Sequence, residues 1–179
     1  MDVKLSLGEK IARAILQHYN HEKYWSYRSV VVNEKRGTSI GDALRLLYIK
    51  RADAFNNASM GTHRNFGAKF AGPPQLPHGL NGIIVSHNAI IGYDCRIFHQ
   101  VTIGEGRGGA PTIGNHVLLG AGCKVIGNVH IGDYAKIGAG CVVMEDIPER
   151  AVVLPSKPTI IVKQMGEKYE EDICLNGNI

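Results

Sequence analysis

Aromatic residues are scarce in this chain: Phe, Trp and Tyr make up 7% of 179 residues, with a single Trp. A core of stacked rings is excluded, and aliphatic side chains must fill the interior. No run of about 18 or more apolar residues occurs, so no membrane span is expected. The opening MDVKLSLGEKIARAILQHY carries charges through its apolar stretch and lacks a small-residue cleavage site, so it reads as an amphipathic helix rather than a signal peptide. Cysteine is also sparse. Cys95, Cys123, Cys141 and Cys174 form no CxxC pair and no evident disulfide framework, which makes the cytoplasm the expected compartment. Charge of either sign has little excess: 20 basic against 16 acidic residues leave +4, too little to indicate a nucleic-acid partner.

What is abundant is glycine, 22 residues, in a chain that is 44% hydrophobic and 20% charged and is therefore globular. From Val85 an aliphatic residue returns at every sixth position: Val85, Ile91, Ile97, Ile103, then Ile113, Leu119, Val125, Ile131, Ile137 and Val143. Neither a helix nor an ordinary strand has that period, which is the mark of a hexapeptide-repeat parallel β-helix. Each coil is expected to hold three short strands over about eighteen residues, with coils stacked at ~4.8 Å. Residues eighteen apart should form columns: Ile113 with Ile131, Leu119 with Ile137, Val125 with Val143, and Val85 with Ile103. Gly follows the aliphatic at Gly92, Gly104, Gly114, Gly120, Gly132 and Gly138, and small or slim residues such as Ala89, Cys95 and Cys123 stand two positions before it. One spacing is longer. Nine residues separate Ile103 from Ile113, so the segment Gly104-Glu105-Gly106-Arg107-Gly108-Gly109-Ala110-Pro111 should loop out of the coil.

Residues 1–60 form the expected N-terminal helical region, with helices over 5–19 and 41–55 and Ser39 three positions before Asp42 as a capping box. The run 27–32 suggests a strand between them. Residues 61–163 form the expected β-helix domain, opening with an imperfect coil near Gly67-Ala68-Lys69-Phe70. The repeat is expected to stop at Glu145-Asp146-Ile147-Pro148, and 164–179 reads as an exposed polar tail.

Six of the eight histidines, His63, His78, His87, His99, His116 and His130, lie in or beside the coil at outward positions. Here the chain resembles a family. Leu76-Pro77-His78-Gly79, Gly82-Ile83-Ile84-Val85, the run from Ile97 to Gly104, the loop, and the run from Ile113 to Gly122 are similar to the hexapeptide-repeat acyltransferases, specifically their serine acetyltransferase-like branch and its relatives that O-acetylate sugars. The resemblance covers roughly residues 60–163. It implies a left-handed β-helix, a homotrimer, and acetyl transfer from acetyl-CoA to a hydroxyl in clefts between subunits, with no tightly bound cofactor and no metal.

The resemblance places the general base on His78, whose imidazole titrates near working pH. The family's orienting carboxylate falls on His63, a departure that leaves Glu105, Asp94 or another subunit to supply it. Backbone N–H groups near Gly104 would meet the oxyanion. Ala121, Ala139 and Lys157 would contact the donor, Lys157 as a point charge for a phosphate. His87, His99 and Arg107 are the acceptor-side candidates. Cys123 and Cys141 occupy inward positions and are expected to be inert, which favours direct transfer over an acyl-cysteine.

Pro77 stands where serine acetyltransferases carry Asp, Gly109-Ala110 stand where they carry Arg-His, and their long helical N-terminal domain is shortened. These departures point to a sugar or polysaccharide-precursor hydroxyl as acceptor, with serine O-acetylation as the alternative. A zinc lyase of the γ-carbonic-anhydrase type is a further alternative on the same coil. Its closely spaced histidines are not matched here.

Overall fold

The computed structural model describes Ser6, Gly8, residues 18–35 and residues 39–162. The helix expected over 5–19 falls outside these residues apart from Ser6, Gly8 and its last two positions, and the 164–179 tail with Cys174 falls outside them entirely.

Asn20 begins the first described helix, α1 (His21–Val31), by accepting the Lys23 N–H on its side chain. Tyr24, Trp25, Arg28 and Val31 share its buried face. This corrects the strand expected over 27–32. The β-branched run Val30-Val31-Val32 lies at a helix C-terminus, where a capped start and a buried helical stripe outweigh strand propensity. Helix α2 (Ile40–Phe55) begins at Ser39, whose Oγ accepts the Asp42 N–H and donates to the Asp42 carboxylate, so the capping residue is the expected one.

The chain then winds into fifteen short strands among the described residues. Three parallel sheets enclose a triangular interior. The first face stacks β1 (Ser59–Met60), β5 (Ile84–Val85), β8 (Thr102–Gly104), β11 (Lys124–Ile126) and β14 (Val142–Val143). The second stacks β4 (Lys69–Phe70), β6 (Ile90–Ile91), β9 (Thr112–Ile113) and β12 (His130–Ile131). The third stacks β7 (Arg96–Ile97), β10 (Leu118–Leu119), β13 (Lys136–Ile137) and β15 (Val152–Val153). β2 (Thr62–His63) and β3 (Phe66–Gly67) form an antiparallel hairpin off the first coil. This is the left-handed parallel β-helix with a small helical region before it.

The anticipated columns are present. Val85 pairs with Ile103, Ile113 with Ile131, Leu119 with Ile137, and Val125 with Val143. All are buried, as are Ala89, Cys95, Val101, Val117, Cys123, Val129, Ala135 and Cys141 at the neighbouring inward positions. The coil also outlasts the expected stop at Val143. Ile147 bridges Ile131, and Val153 pairs with Ile137, each sixteen residues away instead of eighteen. A corner two residues shorter hides the continuation from a strict six-residue count.

The glycines that follow the repeat aliphatics serve close stacking. A Cβ on Gly132 would run into the backbone of Glu149, and one on Gly120 into the N of Ala139. The left-handed turns fall elsewhere. Where the third face passes to the first, Gly82 (φ 65°), Gln100 (57°), Gly122 (69°) and Gly140 (72°) stand in one line, and each later one donates its N–H to the coil before it.

Candidate active site

Three edges separate the three faces, and they divide the candidate residues. The edge between the third and first faces carries His78, Phe98, His99, Ala121 and Ala139. Residues 77–83 form a turn in which Gly79 N donates to Leu76 O and Ile83 N to Leu80 O, leaving the His78 imidazole exposed. Its ring meets His99 edge to face, with centroids 4.9 Å apart, and Phe98 at 5.8 Å. His99 is half-buried, and its Nδ1 is shielded from solvent with no hydrogen-bond partner. Gly122 N donates to His99 O, and Gly140 N to Ala121 O, so Ala121 and Ala139 border a straight strip of backbone beside the two imidazoles. Pro155 lies against Gly138 as the chain leaves the coil at this edge, and the exposed Lys157 follows it.

The edge between the first and second faces carries the other candidates. The β2–β3 hairpin brings His63 to within 5.7 Å of His87, ring to ring, with Phe66 5.1 Å from His87. Beside them the inserted segment closes into a second small hairpin. Gly106 N donates to Gly109 O at 3.0 Å and Gly109 N to Gly106 O at 3.3 Å, with Arg107 exposed at the tip. Gly108 (φ 93°) and Gly109 (φ 140°) adopt left-handed conformations over the Asn128 side chain, which a turn this tight requires. Gly104 starts this segment. The Glu105 carboxylate accepts from Asn88 Nδ2 at 2.9 Å and from Ser86 Oγ at 3.3 Å.

His78 and His63 therefore belong to separate clusters on opposite borders of the first face. The aligned pairing of these two residues is not formed within the chain, because His63 follows the first-face strand β1 while His78 precedes the next strand of that face, β5, which leaves the width of the face between them. Asp94 does not orient His78 either. It stands on the edge between the second and third faces, where it accepts from Gln75 Nε2 at 2.6 Å and meets His116 Nδ1 at 3.1 Å. The Gln75 bond, with His116 second, holds its carboxyl below the usual carboxylate range. His116 in turn stacks on Tyr134 at 4.8 Å, and the Arg150 guanidinium lies over that ring. Sequence spacing gave no sign of this column, which arises because Asp94, His116, Tyr134 and Arg150 all take the left-handed corner position.

Cys95, Cys123 and Cys141 are free and buried among the described residues. Burial pushes the Cys123 thiol up to about 12, so almost no thiolate forms near neutral pH. Among the described residues no group of three or more His, Cys, Asp or Glu side chains is arranged to hold a metal ion. No helix among them is long and apolar enough to cross a membrane.

Residues 110–144 match the family model described as bacterial transferase hexapeptide (six repeats). A serine acetyltransferase of Helicobacter pylori is 40% identical over 102 residues, which are 54% of this chain and 58% of that protein. A probable serine acetyltransferase of Oryza sativa is 42% identical over 113 residues, 60% of this chain and 36% of that protein. The solved structure of soybean serine acetyltransferase complexed with serine superposes with a TM-score of 0.55 at 30% identity, covering 84% of this chain and 58% of that one. This chain thus spans about a third to three-fifths of these relatives. The likenesses overturn the expected sugar acceptor, because the departures at Pro77, Gly109 and Ala110 occur in a chain whose coil matches serine acetyltransferases. In sequence and in fold, the coil of this chain is similar to those of serine acetyltransferases, and its residues 110–144 carry the transferase hexapeptide repeat.

Proposed function

We propose that the chain is an acetyl-CoA-dependent O-acetyltransferase whose acceptor is the hydroxyl of serine. The observation that carries this is the exposed His78 imidazole, braced by Phe98 and His99 beside the Ala121–Ala139 strip, on a coil similar to serine acetyltransferases. In this reading His78 removes the hydroxyl proton as the serine oxygen attacks the thioester carbonyl. The C–S bond breaks, the acetyl group passes to oxygen, and CoA leaves as the thiol. Transfer is direct, which agrees with the buried, protonated Cys123.

Donor and acceptor groups lie on two edges, and the proposal joins them between subunits of a homotrimer. His78, Ala121, Ala139 and Lys157 of one subunit then face Gly104, His87 and Arg107 of its neighbour. Arg107 supplies a cation for the serine carboxylate in place of the groups missing at Gly109-Ala110, and backbone N–H groups near Gly104 receive the oxyanion.

The test is release of CoA thiol from acetyl-CoA in the presence of L-serine. Serine-dependent release is expected, and His78→Ala should lower kcat by at least ~10²-fold with little change in CoA affinity. Failure of serine to stimulate release, or full activity of His78→Ala, would refute the assignment.

A further inference from the structure

Helix α1 and the first coil enclose a crevice of about 470 Å3, away from the edge that carries His78, whose walls include Trp25, Arg28, Ser29, Val32, Phe70 and Pro73. Arg28 is 3% exposed, an unusual state for a guanidinium. Its Nε donates to Thr62 Oγ1 at 3.0 Å, and its Nη2 donates to the carbonyls of Met60 at 3.1 Å and Ala68 at 2.7 Å. The guanidinium lies over the Phe70 ring at 4.7 Å and the Trp25 ring at 5.3 Å. These neutral acceptors fix its position without neutralising its charge.

Among the described residues no carboxylate comes within ion-pair distance of Arg28. Asp53, which faces the same junction from α2, is bonded to the Tyr24 hydroxyl at 2.6 Å and favours the charged guanidinium only through space, with no hydrogen bond to it. Arg28 Nη1 donates to nothing and is not among the polar atoms sealed from solvent. Burial lowers the guanidinium pKa to about 10, which still leaves it charged near neutral pH. A buried cation with a free donor on an aromatic and aliphatic crevice is a half-built ion pair. Lys69 and Glu34 also line it with opposite charges. That balance suits a single negative charge better than a dianion.

We infer that this crevice binds a small monocarboxylate with a flat apolar body, its carboxylate on Arg28 Nη1 and its body against Trp25, Val32, Phe70 and Pro73. The site neither uses nor contacts His78, and it stands whether or not serine is the acceptor.

Trp25 is the chain's single tryptophan, so its emission reports on this wall alone. Titration of the whole protein with benzoate should change that emission saturably, with inorganic phosphate and chloride at matched ionic strength inert. Arg28 anchors three acceptors and its removal risks unfolding, so Ser29→Phe and Ala71→Phe, which fill the crevice from exposed wall positions, serve as the test variants. Either variant, with an unchanged far-UV spectrum, should weaken benzoate binding by at least ~10-fold. The inference fails if the native protein shows no saturation by roughly 10 mM benzoate, well above the millimolar range of weak specific pockets. It fails equally if folded variants bind as the native protein does, or if phosphate matches benzoate.

Discussion

Asp53 is 4% exposed at the junction of the helices with the coil, with one oxygen accepting from Tyr24 Oη at 2.6 Å. Burial is the main influence on its carboxyl and raises its pKa from 3.8 to about 6, outweighing the Tyr24 bond and the nearby cations. The folded chain therefore holds this proton more tightly than the unfolded chain. The stabilisation is fully present below the unfolded pKa and is lost as pH rises through the folded one, leaving a plateau above. The change is on the order of 2–3 kcal/mol between about pH 4 and 6.5. Asp53→Asn should remove this dependence, so that native and variant unfolding free energies converge or diverge with pH across that window. Denaturant melts at several pH values that run parallel would contradict it.

Between neighbouring strands the same reasoning becomes a matter of columns. Leu119 and Ile137 are paired in register, and both are wholly buried. Each truncation to Ala is expected to cost about 2–5 kcal/mol. Because the two share one cavity, the double variant should depart from additivity by about 0.5–3 kcal/mol. Independent effects in a double-mutant cycle would deny the contact. Such columns are readable in one dimension because each coil repeats the same inward position at a fixed interval. Helix α1 was not readable in that way, since Val30-Val31-Val32 signals a strand while the deciding contacts of Tyr24, Trp25 and Arg28 come from distant residues. Ile147 and Val153 escaped the count because one corner is short. His78 stood out with its motif. Its separation from His63 did not, because the distance around the prism depends on which corner absorbs each insertion.

Residues proposed for a single reaction lie on two borders of the first face, so under the proposed function the chemical unit would be an assembly of chains. Light scattering should give the mass of three chains. A sharper check mixes two inactive variants, His78→Ala and one lacking the Gly106–Gly109 turn, under conditions that allow subunits to exchange. Random mixing at equal amounts places intact halves together at about a quarter of the junctions, and activity should return to about that fraction. No recovery in demonstrably mixed trimers would place both halves of the site in one chain.

The corners have a separate evolutionary consequence. Around the insertion the circuit from Ile103 to Val125 takes twenty-two residues, around Val143 the circuit from Ile131 to Ile147 takes sixteen, and the ladders on either side keep their register. Length and interior are thus uncoupled. Turns can lengthen, shorten or take on foreign peptides while the aliphatic stack stays aligned, so substrate preference in this architecture is free to diversify at its rims without renegotiating the stability of its centre.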